Sequence, residues 1–542
     1  MLEKIKKIIN KKIANSNISL KKSSFMAFGL GALLVLAFAP FNLFFFAIIS
    51  LSLFYAMIEQ KNCPKQISIL AFSYIFGFFV FGVYWICNSL FIDLKRFGWL
   101  IPFAITLIPA LMAIYFAIII YLYHKLTTRY AINLTYQKII FFSVSFLIFE
   151  VIRSNLFTGF SWNLLGYIWL FDIRMSQLAS IIGVYGLSFF ACLTCLLPYS
   201  LIYHQGKIFN KIFSVIILFL LIANYFFGYF YIDQNYQQNN LKFANLRLVQ
   251  ADIAQKDKWQ DEEKYRIIAD HLDLTISKPL DKIDAVIWSE TSMPFIIEKN
   301  DTRLHNIIKN AIPPNGNLIS GGISYERILG SEDYKIFNSM LIFDNNSLIK
   351  TYDKRHLVPF GEFVPLHRYL GFLFIDQIVD QITGGGVGFS GGEGEKMIKL
   401  SKFSFNPLLC YEVIFSDEML DKNSSLPDMF INLTNDAWFG VSTGPFQHLQ
   451  MARMRAIEYG RPLIRVAQSG ISANINHYGE VIDKISLNKR AIMDISVYKN
   501  NNRTFYSQNY HLILWIILFW SAILIFIKNI HELTKKFLKK FK

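Results

Sequence analysis

The sequence contains few cysteines and few charged residues. Only five of its 542 residues are cysteine, and Asp, Glu, Lys and Arg together make up 17%. Outside the apolar stretches the cysteines show no paired spacing, which argues against both a disulfide framework and a zinc site. A soluble protein would carry roughly 25% charged residues. The composition therefore excludes an ordinary soluble chain.

Acidic residues are scarce relative to basic ones. The chain has 39 Asp and Glu against 54 Lys and Arg, a formal net charge of +15. No nucleic-acid recognition motif accompanies this excess, and lysines cluster beside apolar segments at both ends of the chain. Such flanking lysines are typical of the cytoplasmic side of membrane proteins. We therefore expect membrane lipids, and no nucleic acid, among the partners.

Apolar residues, in contrast, are abundant, at 53% of the chain with 52 Phe. A membrane-spanning helix needs about 20 mostly apolar residues, and the apolar runs predict eight such helices. These are about 25–40, 43–58, 67–91, 98–123, 138–154, 177–203, 211–231 and 510–527. Pro40 and Asn42 favour a tight turn between the first two helices.

The distribution of positive charge predicts the orientation of these helices. The segments on one side hold twenty Lys and Arg, and those on the other hold four: Lys95, Arg96, Arg153 and Arg174. Positive charge accumulates on the cytoplasmic side. This side takes residues 1–24 and 528–542, and the opposite side takes residues 242–500. The aromatic loop 155–172 falls on that same opposite side and has the composition of a membrane interface.

Residues 242–500 have the pattern of a globular domain rather than of a membrane bundle. Short apolar runs that predict buried strands alternate with stretches of helical spacing. Turn residues predict two hairpins, over 337–354 and 472–485. This alternation indicates a layered α/β domain in which helices cover the sheet. The hairpins favour a partly antiparallel sandwich over a simple Rossmann fold.

Three reactive side chains follow apolar strands in this domain: Glu290, Lys354 and Cys410. A thiol with a pKa of about 8.5 is a weak nucleophile until it loses its proton. A nearby carboxylate can accept that proton, and an ammonium group can stabilise both the thiolate and an oxyanion. The main-chain N–H of Tyr411 is a second candidate oxyanion donor. If the three strand ends meet at one edge of a sheet, they suit acyl transfer.

The stretches "WSET", "YDKRHLVPFGEFVP" and "CYEVIF" around these residues resemble the carbon–nitrogen hydrolase (nitrilase) superfamily, whose triad is Glu-Lys-Cys. Further stretches, including "TGFSWNLLGY", "VQADIAQKDKW" and "NLTNDAWFG", resemble the membrane-bound apolipoprotein N-acyltransferase family over nearly the whole chain. The resemblance implies a nitrilase-like αββα sandwich, inserted between the seventh and eighth helices of an eight-helix transmembrane bundle. It also implies a bacterial inner membrane, with the catalytic domain facing the periplasm.

The resemblance implies a role for each site residue. Glu290 would be the proton acceptor, Lys354 would bind the oxyanion and Cys410 would be the nucleophile. Supporting roles would fall to Glu362, Tyr411 and Glu412, and substrate contacts to Trp259 and Trp438. No cofactor and no metal are implied.

The reaction implied by the resemblance is a two-step exchange through a cysteine thioester. The acyl donor would be the sn-1 ester of a phospholipid, with phosphatidylethanolamine as the expected lipid. The acceptor would be the α-amine of an S-diacylglyceryl cysteine at the N-terminus of an apolipoprotein. Since both substrates carry acyl chains, the site would have to open at the height of the bilayer.

Two alternatives use the same sequence features differently. A membrane-tethered amidase would share the triad and pass the acyl group to water. A transporter with an external binding domain would require ionisable residues inside the membrane helices, and Glu150 and Arg153 are the main candidates. We also hypothesise that the apolar segment 370–379, with the glycine-rich stretch 384–394, forms an arm that touches the membrane and gates the site.

Overall fold

The computed structural model describes residues 19–91, 94–203, 207–236, 241–255, 257–258, 260–298, 303–327, 334–363, 388–421 and 424–540. The chain divides into two compact units. One comprises the residues up to Ile232 together with those from Phe505 onward, and the other comprises Asp233–Thr504. Trp259, for which the resemblance implied a substrate contact, and residues 370–379 and 384–387 of the hypothesised gating arm lie outside the described residues.

The first unit is helical. Its helices are α1 (Leu20–Leu34), α2 (Phe45–Glu59), α3 (Pro64–Gly82), α4 (Leu94–Phe97), α5 (Ile101–Arg129), α6 (Thr135–Asn155), α7 (Ile173–Ser176), α8 (Ala179–Cys195), α9 (Leu197–Ile202), α10 (Ile208–Tyr236) and α14 (Phe505–Lys540). Within the described ranges, seven helical segments are long and apolar enough to cross a membrane.

The predicted count of eight spanning helices is not confirmed, because α2 is short. It has 15 residues, and a rise of about 1.5 Å per residue leaves it shorter than the roughly 30 Å apolar core of a bilayer. The predicted turn before it is present. Helix α1 ends at Leu34, and Asn42 adopts a φ of 54° in the turn that precedes α2. Asn tolerates this left-handed conformation better than most side chains do.

Glu150 and Arg153 are buried at the end of α6, where they hold the aromatic loop. The Arg153 guanidinium donates to the carbonyl oxygens of Phe160 and Trp162 at 2.7 and 2.8 Å. Glu150 Oε1 accepts from the main-chain N–H of Leu165 at 2.6 Å. Trp162 is also buried, so this part of the loop packs inside the helical unit rather than forming an exposed aromatic belt. The two ionisable residues thus stabilise a loop, and they no longer favour a transporter.

The second unit contains two mixed sheets. Its strands are β1 (Lys242–Gln250), β2 (Ala285–Trp288), β3 (Met293–Glu298), β4 (Asn317–Arg327), β5 (Tyr334–Phe343), β6 (Leu348–Asp353), β7 (Ile398–Lys399), β8 (Ser404–Leu409), β9 (Met429–Thr434), β10 (Leu463–Ala467), β11 (Ser472–Ile475), β12 (Val481–Ile485) and β13 (Ala491–Tyr498). One sheet has the order β13-β1-β2-β4-β5-β6, with β3 paired to β4, and the other has the order β12-β11-β10-β9-β8-β7.

The core of this unit lies between the two sheets. Leu248 and Ile287 of the first sheet share a buried cluster with Phe405 and Ile431 of the second. Helices α11 (Lys264–Ile276) and α12 (Arg303–Ile308) cover the outer face of the first sheet, and α13 (Gly444–Tyr459) packs against β10. The predicted αββα sandwich is therefore confirmed. The two predicted hairpins are β5–β6 and β11–β12.

Strand direction explains why two of the reactive residues meet. Strands β2 and β4 are parallel, and the two antiparallel pairings β4–β5 and β5–β6 restore the original direction in β6. The carboxyl ends of β2 and β6 therefore lie at the same edge of the first sheet. Glu290 follows β2 and Lys354 follows β6 at that edge.

Candidate active site

Cys410 lies at a sharp turn directly after β8. It has a φ of 47°, a conformation that costs energy in a residue with a side chain, and it begins a short 3₁₀ helix, Cys410–Ile414. A strained turn from a strand into a helix is the arrangement by which α/β-hydrolases present a nucleophile. Only 9% of the residue is exposed. The turn thus places a largely buried thiol at the end of the central parallel strands of the second sheet.

Glu290, Lys354 and Glu362 form a buried cluster. Lys354 Nζ lies 2.8 Å from Glu362 Oε1 and 3.6 Å from Glu290 Oε1. The amide nitrogen of Asn338 donates to Glu290 Oε1 and to Glu362 Oε1, each at 2.8 Å. One ammonium and one amide therefore hold two carboxylates side by side. Asn338 was not predicted, since nothing in the sequence distinguishes it from the other polar residues of its strand.

Burial and neighbouring charges set the pKa values of this cluster. Burial raises the pKa of the Glu290 carboxyl, Lys354 lowers it and Glu362 raises it further, with a net upward shift. Burial would lower the pKa of the Lys354 ammonium, but Glu362 and Glu290 outweigh it and raise that pKa, so the ammonium stays charged. Burial and Glu290 raise the pKa of Cys410 to about 12, against the opposing effect of Lys354. At neutral pH the thiol is protonated, and it needs a base before it can react.

Glu412 connects the Cys410 turn to the loop that begins with Lys354. One carboxylate oxygen accepts from the main-chain N–H of Leu409 at 2.7 Å. The other accepts from the main-chain N–H of Arg355 and from the Tyr352 hydroxyl, both at 2.9 Å. A single carboxylate thus fastens the ends of β6 and β8 together. This geometry suits the bracing role that the resemblance implied.

A second network of buried charges lies beside the main chain of Cys410. His448 Nε2 is 3.3 Å from the carbonyl oxygen of Cys410, and His448 Nδ1 is 3.0 Å from Asp436 Oδ1. Arg465 donates to Asp436 at 2.7 Å. Burial would raise the pKa of Asp436, but Arg465 and His448 outweigh it and hold that pKa well below its usual range. This network was not predicted, because its three residues belong to separate elements that only the fold brings together.

Lys258 is another buried cation that sequence analysis missed. It lies in the loop after β1, and its Nζ donates to the carbonyl oxygen of Glu290 at 3.2 Å. It belongs to "VQADIAQKDKW", a stretch in which only Trp259 was predicted to be a site residue. A lysine between polar residues has the pattern of a surface position, and only the fold places this one inside.

The remaining predicted residues, Tyr411 and Trp438, lie on two short 3₁₀ helices. Tyr411 is largely buried, and its ring centroid lies 5.2 Å from that of Phe415. Trp438 is partly exposed in the short 3₁₀ helix Asp436–Phe439, which follows β9. Over the described part of the chain, no group of three or more His, Cys, Asp or Glu side chains is arranged to hold a metal ion.

Comparison with known proteins identifies the class of the second unit. Residues 245–499 match the family model described as "Carbon-nitrogen hydrolase", in agreement with the αββα sandwich. A solved CN-hydrolase superfamily protein from Xanthomonas campestris is 18% identical, with a TM-score of 0.34 over 47% of this chain and 90% of that chain.

The helical unit shows which family within this class the chain resembles. Residues 30–197 match the family model described as "Apolipoprotein N-acyltransferase N-terminal domain". A relative of that name from Rickettsia prowazekii is 34% identical over 505 residues, covering 92% of this chain and 97% of its own length. Another from Rhizobium rhizogenes is 33% identical over 492 residues, covering 87% and 89%. The chain belongs to the apolipoprotein N-acyltransferase family.

Proposed function

We propose that this protein transfers a fatty acyl chain from the sn-1 position of a phospholipid to the α-amine of an S-diacylglyceryl cysteine on an apolipoprotein. The observation that carries the proposal is the buried cluster of Glu290, Lys354 and Glu362, of which Glu290 and Lys354 act electrostatically on the Cys410 thiol. Family membership supports the lipid and lipoprotein substrates. Phosphatidylethanolamine, an abundant bilayer lipid with a primary amine, is the proposed donor.

In the first step the Glu290 carboxylate accepts the proton of the Cys410 thiol. The thiolate attacks the carbonyl carbon of the ester, and the resulting oxyanion faces the Lys354 ammonium, with the main-chain N–H of Tyr411 as the second donor. The C–O bond then breaks, and Glu290 returns its proton to the departing alkoxide. The products are a lysophospholipid and a thioester on Cys410.

In the second step the α-amine of the lipoprotein cysteine attacks the thioester carbonyl. Glu290 accepts a proton from the attacking amine, the C–S bond breaks, and the thiolate of Cys410 takes that proton back. A raised pKa suits Glu290 to both directions of transfer, since a general acid and base works best with a pKa near the operating pH. The net result is an amide and the regenerated thiol.

The membrane setting belongs to the same proposal. Seven long apolar helices among the described residues, together with the family, make the chain a multi-pass membrane protein. We propose that it lies in the bacterial inner membrane, with both termini in the cytoplasm and residues 242–500 in the periplasm. The excess of Lys and Arg in the segments assigned to the cytoplasm supports this orientation. Trp259 and Trp438 are proposed to line the entrance for the substrates.

Intact-mass analysis of the purified full-length protein, incubated with phosphatidylethanolamine alone, tests the proposal. The wild type should gain the mass of one fatty acyl chain and release one lysophospholipid, and Cys410→Ala should do neither. A donor labelled only in its sn-1 chain should pass the label to the protein. Lysophospholipid release by both proteins without an adduct would overturn the thioester mechanism.

Cys63→Ala is the matched control, because Cys63 is exposed and lies in the helical unit. This variant should keep the acyl adduct. Addition of a diacylglyceryl peptide with a free α-amine should then remove the adduct and produce an amide. If free fatty acid accumulates instead and the peptide stays unmodified, the protein is a hydrolase, as the amidase alternative predicts.

A further inference from the structure

The ammonium group of Lys258 is buried, with few hydrogen-bond acceptors, inside the catalytic unit, which is the second unit Asp233–Thr504. The residue is 1% exposed, and its Nζ donates to the carbonyl oxygen of Glu290 at 3.2 Å. An ammonium group has three N–H donors. Among the described residues, no carboxylate oxygen lies within 4.0 Å of Nζ and the other two donors have no acceptor. A buried cation in this state is costly unless nearby negative charge favours it.

The loop after β1 is built to deliver this side chain. The N–H groups of Asp257 and Lys258 donate to the carbonyl oxygens of Ala254 and Gln255, which forms a turn. Asn435, directly after β9, donates to the side-chain oxygen of Gln255 at 2.7 Å. The turn is thus attached to the segment beside the Cys410 site, and it directs Lys258 at the Glu290 main chain.

The charged groups that face Lys258 are those of the catalytic site. Burial lowers the pKa of Lys258 to about 8, while Glu290 and Cys410 favour its charged form. Burial gives the Glu290 carboxyl a raised pKa, and Lys258 opposes that shift, as the more strongly coupled Lys354 also does, against the effect of Glu362. On the covering helix α11, burial together with the charge of Lys258 lowers the pKa of His271 to about 4, although its main-chain hydrogen bond opposes the shift. His271 is therefore neutral at pH 7 and adds no competing charge.

We propose that Lys258 is a positioning residue of the catalytic site, which holds the main chain of Glu290 and, by its positive charge, keeps the Glu290 carboxylate ready to accept the Cys410 proton. This inference concerns proton transfer within the site. It rests on the proton transfer from Cys410 to Glu290 in the proposed function, but it does not depend on which acyl donor or acceptor the protein uses.

Alkylation of Cys410 by iodoacetamide at a series of pH values tests the proposal in the purified full-length protein, with modification measured on the Cys410 peptide by mass spectrometry. The rate should rise with pH as Glu290 loses its proton. Removal of a neighbouring positive charge raises the pKa of a carboxyl group. Lys258→Gln and Lys258→Met should therefore shift this rise to higher pH and slow the reaction on the rising limb. Lys258→Arg keeps the charge and should keep the profile.

Lys396→Gln is the matched control. Lys396 is also buried in the catalytic unit and donates to a main-chain carbonyl, that of Glu418. Loss of the Lys396 charge should leave the pH profile of Cys410 alkylation unchanged, whatever the effect of the substitution on thermal stability. If Lys258→Met does not fold, Lys258→Gln decides, because its amide can still donate to the Glu290 carbonyl. Neutral variants with the wild-type profile, or an equal shift in Lys258→Arg, would overturn the proposal.

Discussion

The ammonium group of Lys354 lies closer to Glu362, at 2.8 Å, than to Glu290, at 3.6 Å. The carboxylate proposed to accept protons is therefore not the main partner of the lysine. Glu362 holds the lysine in place and, as a like charge, raises the pKa of Glu290. Glu290 is thereby left available for proton transfer while the cation stays at the site.

This arrangement gives Glu362→Gln two separable effects. Lys354 loses its closest charged partner, and a small displacement of a catalytic group lowers the rate by about 100-fold. Loss of the like charge also lowers the pKa of Glu290, so the rising limb of the pH–rate profile should move to lower pH. Thioester formation measured from pH 5 to pH 9 checks both effects. A slower reaction in which the rising limb of the pH–rate profile moved to higher pH would contradict the role of Glu362 as a like charge beside Glu290.

We expect Glu412→Gln to loosen the connection between the Cys410 turn and the Lys354 loop. An amide cannot accept from all the donors that face this carboxylate, and a hydrogen bond to a charged group contributes about 2 kcal/mol. Both the thermal midpoint and the rate of thioester formation should fall. Asp261→Asn is the control, since the Asp261 side chain is 87% exposed and its ion pair with Lys264 contributes little. Equal behaviour of the two variants would count against a bracing role.

Asp436→Asn should destabilise the catalytic unit by about 3–5 kcal/mol, because it leaves the buried guanidinium of Arg465 without its charged partner. The folded-state pKa of Asp436 is depressed. Its contribution is therefore present above the unfolded pKa of about 4 and is lost as the pH falls toward the folded value. In thermal denaturation, the difference in stability between wild type and variant should be large at pH 7 and should decrease below about pH 4. A difference in stability that does not change with pH would show that the charge of Asp436 is not the cause of the destabilisation.

Two adjacent glycines of β4 differ in what an added methyl group would meet. At Gly321, a Cβ would lie 2.5 Å from Glu290 Cα and 2.4 Å from the main-chain nitrogen of Thr291, whereas at Gly322 it would meet a methyl of Leu341 at 2.8 Å. A side chain can move aside more easily than main chain can. Gly321→Ala should therefore displace Glu290, cost about 1–3 kcal/mol and slow thioester formation more than Gly322→Ala does. Equal rates in the two variants would contradict this.

Much of the sandwich was predictable, because a buried strand requires apolar residues at neighbouring positions in the sequence. The buried strands β1, β2, β4, β9 and β10 were all visible as short apolar runs between polar segments. The positions of Glu290, Lys354 and Cys410 after such runs were visible for the same reason. The number of spanning helices was harder to predict, since α2 is apolar but shorter than a bilayer requires.

Sequence by itself determined the two-part organisation, the layered α/β unit and the three strand-end groups on which the proposed chemistry depends. Only the tertiary structure decided that Lys258 is buried against Glu290 and that His448 supports the Cys410 turn. It also decided that Glu362, rather than Glu290, is the main partner of Lys354. The physical reason is that the energy of a charge depends on its solvent exposure and its neighbours. Both are set by contacts between segments far apart in the chain, and periodicity within one segment does not record them.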